Sequence, residues 1–356
     1  MKKIPTILFF TLLITTLALS ACSSKGFVAT SWPGISSYEG VAYIAFNQFV
    51  YAVDLDSGNE LWRFPKEADR AKSFYAAPAI TPDGQVIVGS YENALYSLDA
   101  SSGEENWSFT EASNRFIARP LITEKGIYAP SADGKLYAFD FQGHMLWPEP
   151  FDAGFAIWAS PTTDGDRIYL ASIQHTLYAL NINTGKEIWQ KDLGGAIVGI
   201  PALSPDGYLY VGTFAKEMLT LRAVDGEILH RTSTQGWVWS GPFVMDEALY
   251  FTDLSGRLYA LNRSSGEIVW TVETDGTMTG APLVTGESII VGTENGSLFA
   301  YDHNGQPLWK QSIGGKLYTT PNFNNDLVLV TPMDGDALLV ALNLNGLTRW
   351  SFSPAE

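Results

Sequence analysis

The sequence predicts an all-β protein, an eight-bladed β-propeller with four antiparallel strands in each blade. Three observations predict it: a repeat of 39 to 45 residues, a tryptophan at one position of nearly every repeat, and many glycine and aromatic residues. Units of this length cannot bury their faces alone, so they are expected to stack into one domain. A proline near the start marks each unit: Pro33, Pro78, Pro120, Pro161, Pro201, Pro242, Pro282 and Pro321.

Each unit contains four strand-sized segments, A to D, joined by turns. In the unit at Pro282, the residues from Ile289 to Thr293 form strand B, Asn295 and Gly296 supply a hairpin turn, and Ser297 to Tyr301 form strand C. Strand A, the innermost strand of a blade, is expected just before and through the proline. Strand D carries the tryptophan.

The recurring aromatic residue is predicted to seal neighbouring blades, because periodic aromatic residues are usually core. The position is occupied by Trp62, Trp107, Trp147, Trp189, His230, Trp270, Trp309 and Trp350. Aspartates that end strand C, such as Asp54, Asp99, Asp140 and Asp302, are expected to cap the following turn rather than bind metal.

The first residues indicate export and lipidation. Lys2 and Lys3 precede a short apolar run, and Leu19-Ser20-Ala21-Cys22 resembles a bacterial lipobox. We therefore predict a lipoprotein signal peptide at residues 1–21, a lipidated tether at 22–28 and the propeller at 29–356. Cys22 is the only cysteine, so no internal disulfide is expected and its acylation, with palmitate or similar chains, would give a membrane anchor.

The charge of the chain limits its partners. The formal net charge is −16, and loss of Lys2 and Lys3 with the signal peptide would lower it to −18. Such acidity opposes binding to nucleic acid and to anionic lipid surfaces. The sequence therefore predicts an extracytoplasmic protein held at a bacterial membrane by its lipid, at the outer membrane or on the outer face of the plasma membrane.

The central funnel is the predicted binding surface, because the innermost strands of a propeller line its channel. Residues three and five positions before each proline mix aromatic, basic and small side chains, which suits a solvated channel. The candidates are Tyr75, Arg115, Arg119, Trp158, Trp237, Trp239, Lys316 and Tyr318. They could stack on and pair with an aromatic, saccharide or anionic ligand, or they could only fill the funnel.

Other features of the sequence argue against catalysis. The sequence has no CxxC, HExxH, P-loop or GxSxG motif, and its four histidines fall in four different units, so neither an enzyme nor a metal site is predicted.

One connection between units has two possible roles. The long connection from Arg63 to Ser73 is basic. It is either a solvated loop or a docking edge beside the funnel.

Two units carry a resemblance to a known family. Leu177 to Trp189 contains Leu-Tyr-Ala-Leu-Asn followed by Thr-Gly-Lys-Glu-Ile-Trp, and Leu258 to Trp270 repeats the pattern. These units resemble the repeats of pyrroloquinoline-quinone-like (PQQ-like) propellers from about residue 30 to the end. One branch of that superfamily, the quinoprotein alcohol dehydrogenases, has longer loops, a calcium site and usually a vicinal cysteine pair, which this sequence lacks.

The other branch is the lipoprotein subunit of the outer-membrane β-barrel assembly machinery, which the chain resembles in lipobox, length and blade count. That resemblance implies a non-enzymatic scaffold without cofactor, which binds other envelope proteins. A small-ligand or saccharide-binding propeller is the alternative, and a PQQ-dependent dehydrogenase is a third.

Overall fold

The computed structural model describes residues 32–355, and these form eight four-stranded antiparallel sheets. No helix occurs in this part of the chain, and accordingly none is long and apolar enough to cross a membrane. The all-β fold class and the eight blades of four strands are therefore confirmed. The predicted signal peptide, Cys22 and the tether at 22–28 lie outside the described residues.

The strands follow the chain in order, four to a blade. Blades 1 and 2 contain β1 (Gly34–Tyr38), β2 (Val41–Phe46), β3 (Phe49–Asp54), β4 (Glu60–Phe64), β5 (Ala79–Ile80), β6 (Gln85–Gly89), β7 (Leu95–Asp99) and β8 (Glu105–Phe109). Blades 3 and 4 contain β9 (Leu121–Thr123), β10 (Gly126–Pro130), β11 (Lys135–Phe139), β12 (Phe151–Asp152), β13 (Thr162–Thr163), β14 (Arg167–Ala171), β15 (Thr176–Asn181) and β16 (Glu187–Asp192).

The second half repeats this arrangement. Blades 5 and 6 contain β17 (Ala202–Leu203), β18 (Tyr208–Thr213), β19 (Glu217–Arg222), β20 (Ile228–Ser233), β21 (Phe243–Met245), β22 (Ala248–Thr252), β23 (Arg257–Asn262) and β24 (Ile268–Glu273). Blades 7 and 8 contain β25 (Leu283–Val284), β26 (Ile289–Gly292), β27 (Ser297–Tyr301), β28 (Pro307–Ser312), β29 (Asn322–Asn324), β30 (Leu327–Val330), β31 (Leu339–Asn343) and β32 (Thr348–Phe352).

The innermost strand of each blade begins after the proline, so the expected position of strand A was wrong. β5 starts at Ala79, directly after Pro78, and the residues before the proline form no ladder. They instead join two blades: the amide of Phe116 donates to the carbonyl of Ser90 in blade 2, and the carbonyl of Arg115 accepts from the amide of Ala132 in blade 3. This use of the backbone groups leaves none for regular strand pairing.

The core is divided into eight apolar clusters, one at each joint between blades. The residue four positions before the proline is buried in seven blades: Phe74, Phe116, Ile157, Ile197, Val238, Met278 and Leu317. The cluster with Ile35 and Ile44 of blade 1 also contains Leu329 and Leu339 of blade 8. The ring therefore closes by packing between complete blades, without strand exchange among the described residues.

The tryptophans pack between neighbouring blades, as predicted. Trp62 donates its indole N–H to the carbonyl of Ala100 in the next blade at 2.9 Å, and Gly103 of that blade lies against the indole face. A Cβ on Gly103, which has a φ of +71°, would approach Trp62 Cδ2 to 2.6 Å. The same ring-to-carbonyl contact occurs for Trp107, Trp147, Trp189, His230, Trp270, Trp309 and Trp350.

The aspartates at the end of strand C cap the next turn, as predicted. The carboxylate of Asp99 accepts hydrogen bonds from the amides of Ser101 and Ser102 and from both hydroxyls. These hydrogen bonds, chiefly those from the hydroxyls, lower the pKa of Asp99. Asp54, Asp140 and Asp302 accept amide hydrogen bonds in the same way.

Candidate functional site

The centre of the ring holds a cavity of about 490 Å³ to which every blade contributes. Its wall is formed by the segments that lead into strand A. In blade 3, Ile117, Ala118 and Arg119 line the cavity, while the side chain of Phe116, four positions before Pro120, is buried in the joint. Residues one to three positions before the proline therefore form the wall.

Five of the eight predicted funnel residues meet in this cavity. They are Tyr75, Arg119, Trp158, Trp239 and Tyr318. Trp158 is 39% exposed, so an aromatic face remains accessible. Burial raises the pKa of Tyr75 well above its ordinary value, so this phenol is a neutral hydrogen-bonding group at physiological pH.

The other three, Arg115, Trp237 and Lys316, do not line the cavity. They stand five positions before the proline, where the chain passes over the turns between strands B and C. The guanidinium of Arg115 stacks 4.8 Å from the ring centroid of Tyr91, and Trp237 stacks on Phe214 with centroids 4.9 Å apart. Lys316 pairs with Met333 through backbone hydrogen bonds. The residues three positions before the proline do line the cavity, but the wall continues toward the proline rather than away from it.

Trp32 is the largest wall residue that sequence reasoning missed. Its ring stacks on Tyr318 with centroids 4.7 Å apart and lies 5.7 Å from Tyr75 and 5.9 Å from Trp239. It therefore contacts three other blades and narrows the bore. Trp32 stands directly before Pro33, as Arg119 stands directly before Pro120. This shared position could have identified Trp32 as a wall residue from the sequence.

Arg119 is the only charged side chain in the wall of the cavity, as far as the described residues show. It makes no ion pair and no side-chain hydrogen bond within the described part of the chain. Its guanidinium is open to the cavity but surrounded by the walls, and this burial lowers its pKa. An unpaired cation beside aromatic rings attracts an anion or an electron-rich ring.

The donor set of the cavity does not suit calcium. Calcium takes carboxylate and carbonyl oxygens, whereas the lining residues include no aspartate or glutamate. Within residues 32–355, no three His, Cys, Asp or Glu side chains are grouped as a metal site. The quinone-and-calcium arrangement implied by one branch of the superfamily therefore has no matching side chains in this cavity.

The basic connection between blades 1 and 2 divides into bound and exposed parts. Lys72 donates to the hydroxyl of Tyr96, lies over its ring at 4.2 Å and is 3.8 Å from the carboxylate of Glu92. Lys66 and Arg70 are exposed. Only these two are thus available to a partner.

Comparison with known proteins places these features in a family. The family model described as "Outer membrane protein assembly factor BamB" matches residues 47–154, 142–236, 175–281, 233–309 and 255–356. The curated protein of that name from Shewanella oneidensis is 26% identical over 142 residues, 39% of this chain and 35% of the relative. The one from Yersinia pestis is 28% identical over 133 residues, 34% of each chain. The matched stretches thus span about a third of these relatives.

Solved structures share the fold. BamB from Moraxella catarrhalis has a TM-score of 0.72 at 20% identity, covering 85% of this chain and 91% of that one. The designed protein Ika8 has a TM-score of 0.76 at 15% identity, covering 89% and 98%. A europium-containing methanol dehydrogenase has a TM-score of 0.71 at 14% identity, covering 88% and 87%. Because its repeats match the family model over most of the ring, the chain belongs to the outer membrane protein assembly factor BamB family.

Proposed function

We propose that the protein is a lipid-anchored, extracytoplasmic propeller that acts without catalysis as a protein-binding scaffold in the assembly of envelope proteins. The observation that carries the proposal is the family match, which extends from residue 47 to residue 356. The lipobox at Cys22 supplies the anchor, and the acidic surface favours protein partners over nucleic acid. The outer strand of each blade offers an edge to which an extended segment can add.

Crosslinking in intact membranes tests the scaffold. We expect the wild-type chain to capture a small, reproducible set of envelope proteins, and we expect Cys22→Ser to lose membrane association and most of that set. Isolated inner and outer membranes, compared in the same experiment, identify the location. Failure to enrich any envelope protein, with the wild-type chain folded and membrane-bound, would contradict the proposal.

The exposed part of the basic connection is tested separately. The double variant Lys66→Ser/Arg70→Ser removes two accessible charges, whereas Lys72→Ser removes an internal contact. If this connection docks a partner, the double variant loses capture at least several-fold and retains the wild-type melting temperature. Unchanged capture in the double variant would show that the connection is a solvated loop without a docking role.

A second candidate function is supported by the unpaired Arg119. The cavity combines this cation with accessible aromatic rings, which suits a small aromatic anion or a saccharide. Titration of tryptophan fluorescence with benzoate, with benzyl alcohol as the neutral counterpart, tests the anion. We expect Arg119→Met to abolish a benzoate response and to leave any benzyl alcohol response. Equal benzoate binding by wild type and variant would exclude Arg119 as the anchor.

The saccharide and quinone alternatives have their own tests. Glycan-array binding that depends on Trp158 and Trp239 would support a saccharide receptor. Difference absorbance after addition of PQQ and calcium tests quinone binding, and we expect no spectral change because the cavity wall offers no carboxylate. A saturable change would overturn the non-enzymatic assignment.

A further inference from the structure

The joint between blades 5 and 6 differs from the other seven. His230 stands in the tryptophan position, and its Nε2 lies 3.1 Å from the carbonyl oxygen of Ser264. Elsewhere the indole reaches the residue directly after the one that begins the turn between strands C and D, as Trp189 reaches Ala223 after Arg222 and Trp107 reaches Phe141 after Asp140. Here that turn begins at Asn262, the next residue is Arg263, and the imidazole bonds one position further along, to Ser264.

The residue that faces the His230 ring across the strand pair also differs from its equivalents in the other blades. Trp189 faces Ala179 across the strand pair, and alanine or serine occupies the equivalent place in the other blades whose C–D pair includes the tryptophan. His230 faces Thr220 instead. Thr220 is only 3% exposed, and its hydroxyl has no hydrogen-bond partner among the described residues. This oxygen is not one of the fully buried side-chain atoms that have no partner, so it is accessible to water or to a ligand.

These changes open a cavity of about 340 Å³ beside the imidazole. Its wall is formed by Asp206, Tyr208, Tyr210, Thr220, Leu229, His230, Glu247, Arg263 and Ser264. The volume is at the lower end of the ~300–1,000 Å³ typical of small-molecule sites, so it suits a single small ring.

The charges in this cavity are already matched in part. Arg263 donates from Nε to the hydroxyl of Tyr210 at 2.9 Å, and its terminal nitrogens bond to Asp206 and to the carbonyl of Asp246. The carboxylate of Glu247 and the hydroxyl of Tyr208 have no protein partner within the described chain. Glu247 is exposed, so its carboxylate and the two hydroxyls can bond to a ligand with several hydroxyl groups in place of water.

We propose that this cavity, named here the His230 cavity, binds a neutral sugar of monosaccharide size. A small anion would be repelled by Asp206 and Glu247, and a small cation would be repelled by Arg263. A neutral polyol carries no charge and is repelled by none of them. Sugar hydroxyls can donate to Glu247 and exchange hydrogen bonds with Thr220 and Tyr208. The half-buried ring of Tyr208 supplies an apolar face against which a sugar ring packs, whereas the ring of Tyr210 is buried beneath Arg263.

Saturation-transfer difference NMR on the full chain tests this site, with glucose, galactose, mannose and N-acetylglucosamine as separate probes. We expect at least one probe to show transfer to its ring protons. The double variant Thr220→Ala/His230→Trp installs the arrangement of the other joints and fills the cavity, so we expect at least a five-fold loss of that signal. Thr220→Val, which removes only the hydroxyl at nearly constant volume, is a milder second variant and should lose two-fold or more.

Asp56→Asn is the control, because Asp56 lines neither the His230 cavity nor the central cavity. We expect it to retain the wild-type signal, and a loss there as large as in the double variant would overturn the proposal, because the loss would not be specific to the cavity. Absence of transfer from all four sugars to wild type would overturn the proposal. Equal transfer in wild type, the double variant and Thr220→Val would overturn it too, because the sugar would then bind elsewhere.

Discussion

Trp350 in the last blade donates its indole N–H to the carbonyl of Leu55 in the first blade at 3.0 Å, across 295 positions of sequence. The contact has the same geometry as the Trp62–Ala100 contact between consecutive blades. The ring is therefore closed by the same kind of ring-to-carbonyl hydrogen bond that joins the remaining pairs of neighbouring blades. The hydroxyl of Thr331, which donates to the carbonyl of Pro33 at 2.8 Å, adds a second bond across the closing joint.

The closing hydrogen bond is tested by Trp350→Phe. Phenylalanine keeps an aromatic ring but has no N–H, so the buried carbonyl of Leu55 loses its donor. We expect the free energy of unfolding to fall by about 1–3 kcal/mol. Equilibrium urea denaturation measures it, with Trp189→Phe at an internal joint as the control. Unchanged stability in both variants would contradict a structural role for the indole N–H.

The glycine beside each indole is tested by Gly103→Ala against Gly84→Ala. Both glycines have a positive φ, +71° and +81°, so both substitutions incur a left-handed backbone cost of roughly 1–2 kcal/mol. Only Gly103 lies against a tryptophan; a Cβ on Gly84 meets nothing within 4 Å. We expect Gly103→Ala to cost an additional 1–3 kcal/mol or so from overpacking. Equal denaturation midpoints for the two variants would show that the indole can move away.

Arg119 is expected to reduce the stability of the free protein slightly, because its charge lies between the cavity walls without a partner within residues 32–355. The side chain is exposed to the cavity and its charge is screened by solvent, so replacement by methionine should raise the free energy of unfolding by only about 0–1 kcal/mol. Arg263→Met is the contrast, since that arginine bonds to Tyr210 and Asp206, and its loss should be destabilising. Thermal denaturation measures both, and a lower melting temperature for Arg119→Met would mean that the guanidinium stabilises the wall.

The turn-capping aspartates predict a decline of stability in acid. Hydrogen bonds lower the pKa of Asp99 in the folded state below its unfolded value. The stabilisation is thus complete above the unfolded pKa of about 3.9 and is lost as the pH falls through the lower, folded pKa. Denaturation midpoints measured from pH 6 to pH 2.5 should fall less steeply for Asp99→Asn than for wild type. Asp56→Asn, which removes a carboxylate that makes no hydrogen bond in the described structure, is the control and should keep the wild-type slope.

The sequence by itself determined the number of blades, the turns that join their strands and the joints, but not the position of strand A. Such features arise from local chemistry repeated eight times: Asn295-Gly296 forms its turn, and Asp99 caps its turn, whatever lies across the ring. The tryptophans were predictable as packing residues for the same reason, because each contacts only the adjacent blade. The predicted anchor at Cys22 remains a prediction from sequence.

Only the tertiary structure decided which side chains meet in the bore. Trp32 and Tyr318 are far apart in sequence, yet they stack because ring closure brings blades 1 and 8 together. The backbone hydrogen bonds of the segment before each proline turn Arg115, Trp237 and Lys316 away from the cavity, and alternation alone does not specify where that segment crosses between blades. The His230 cavity likewise depends on residues of blades 5 and 6 that meet only when the two sheets pack.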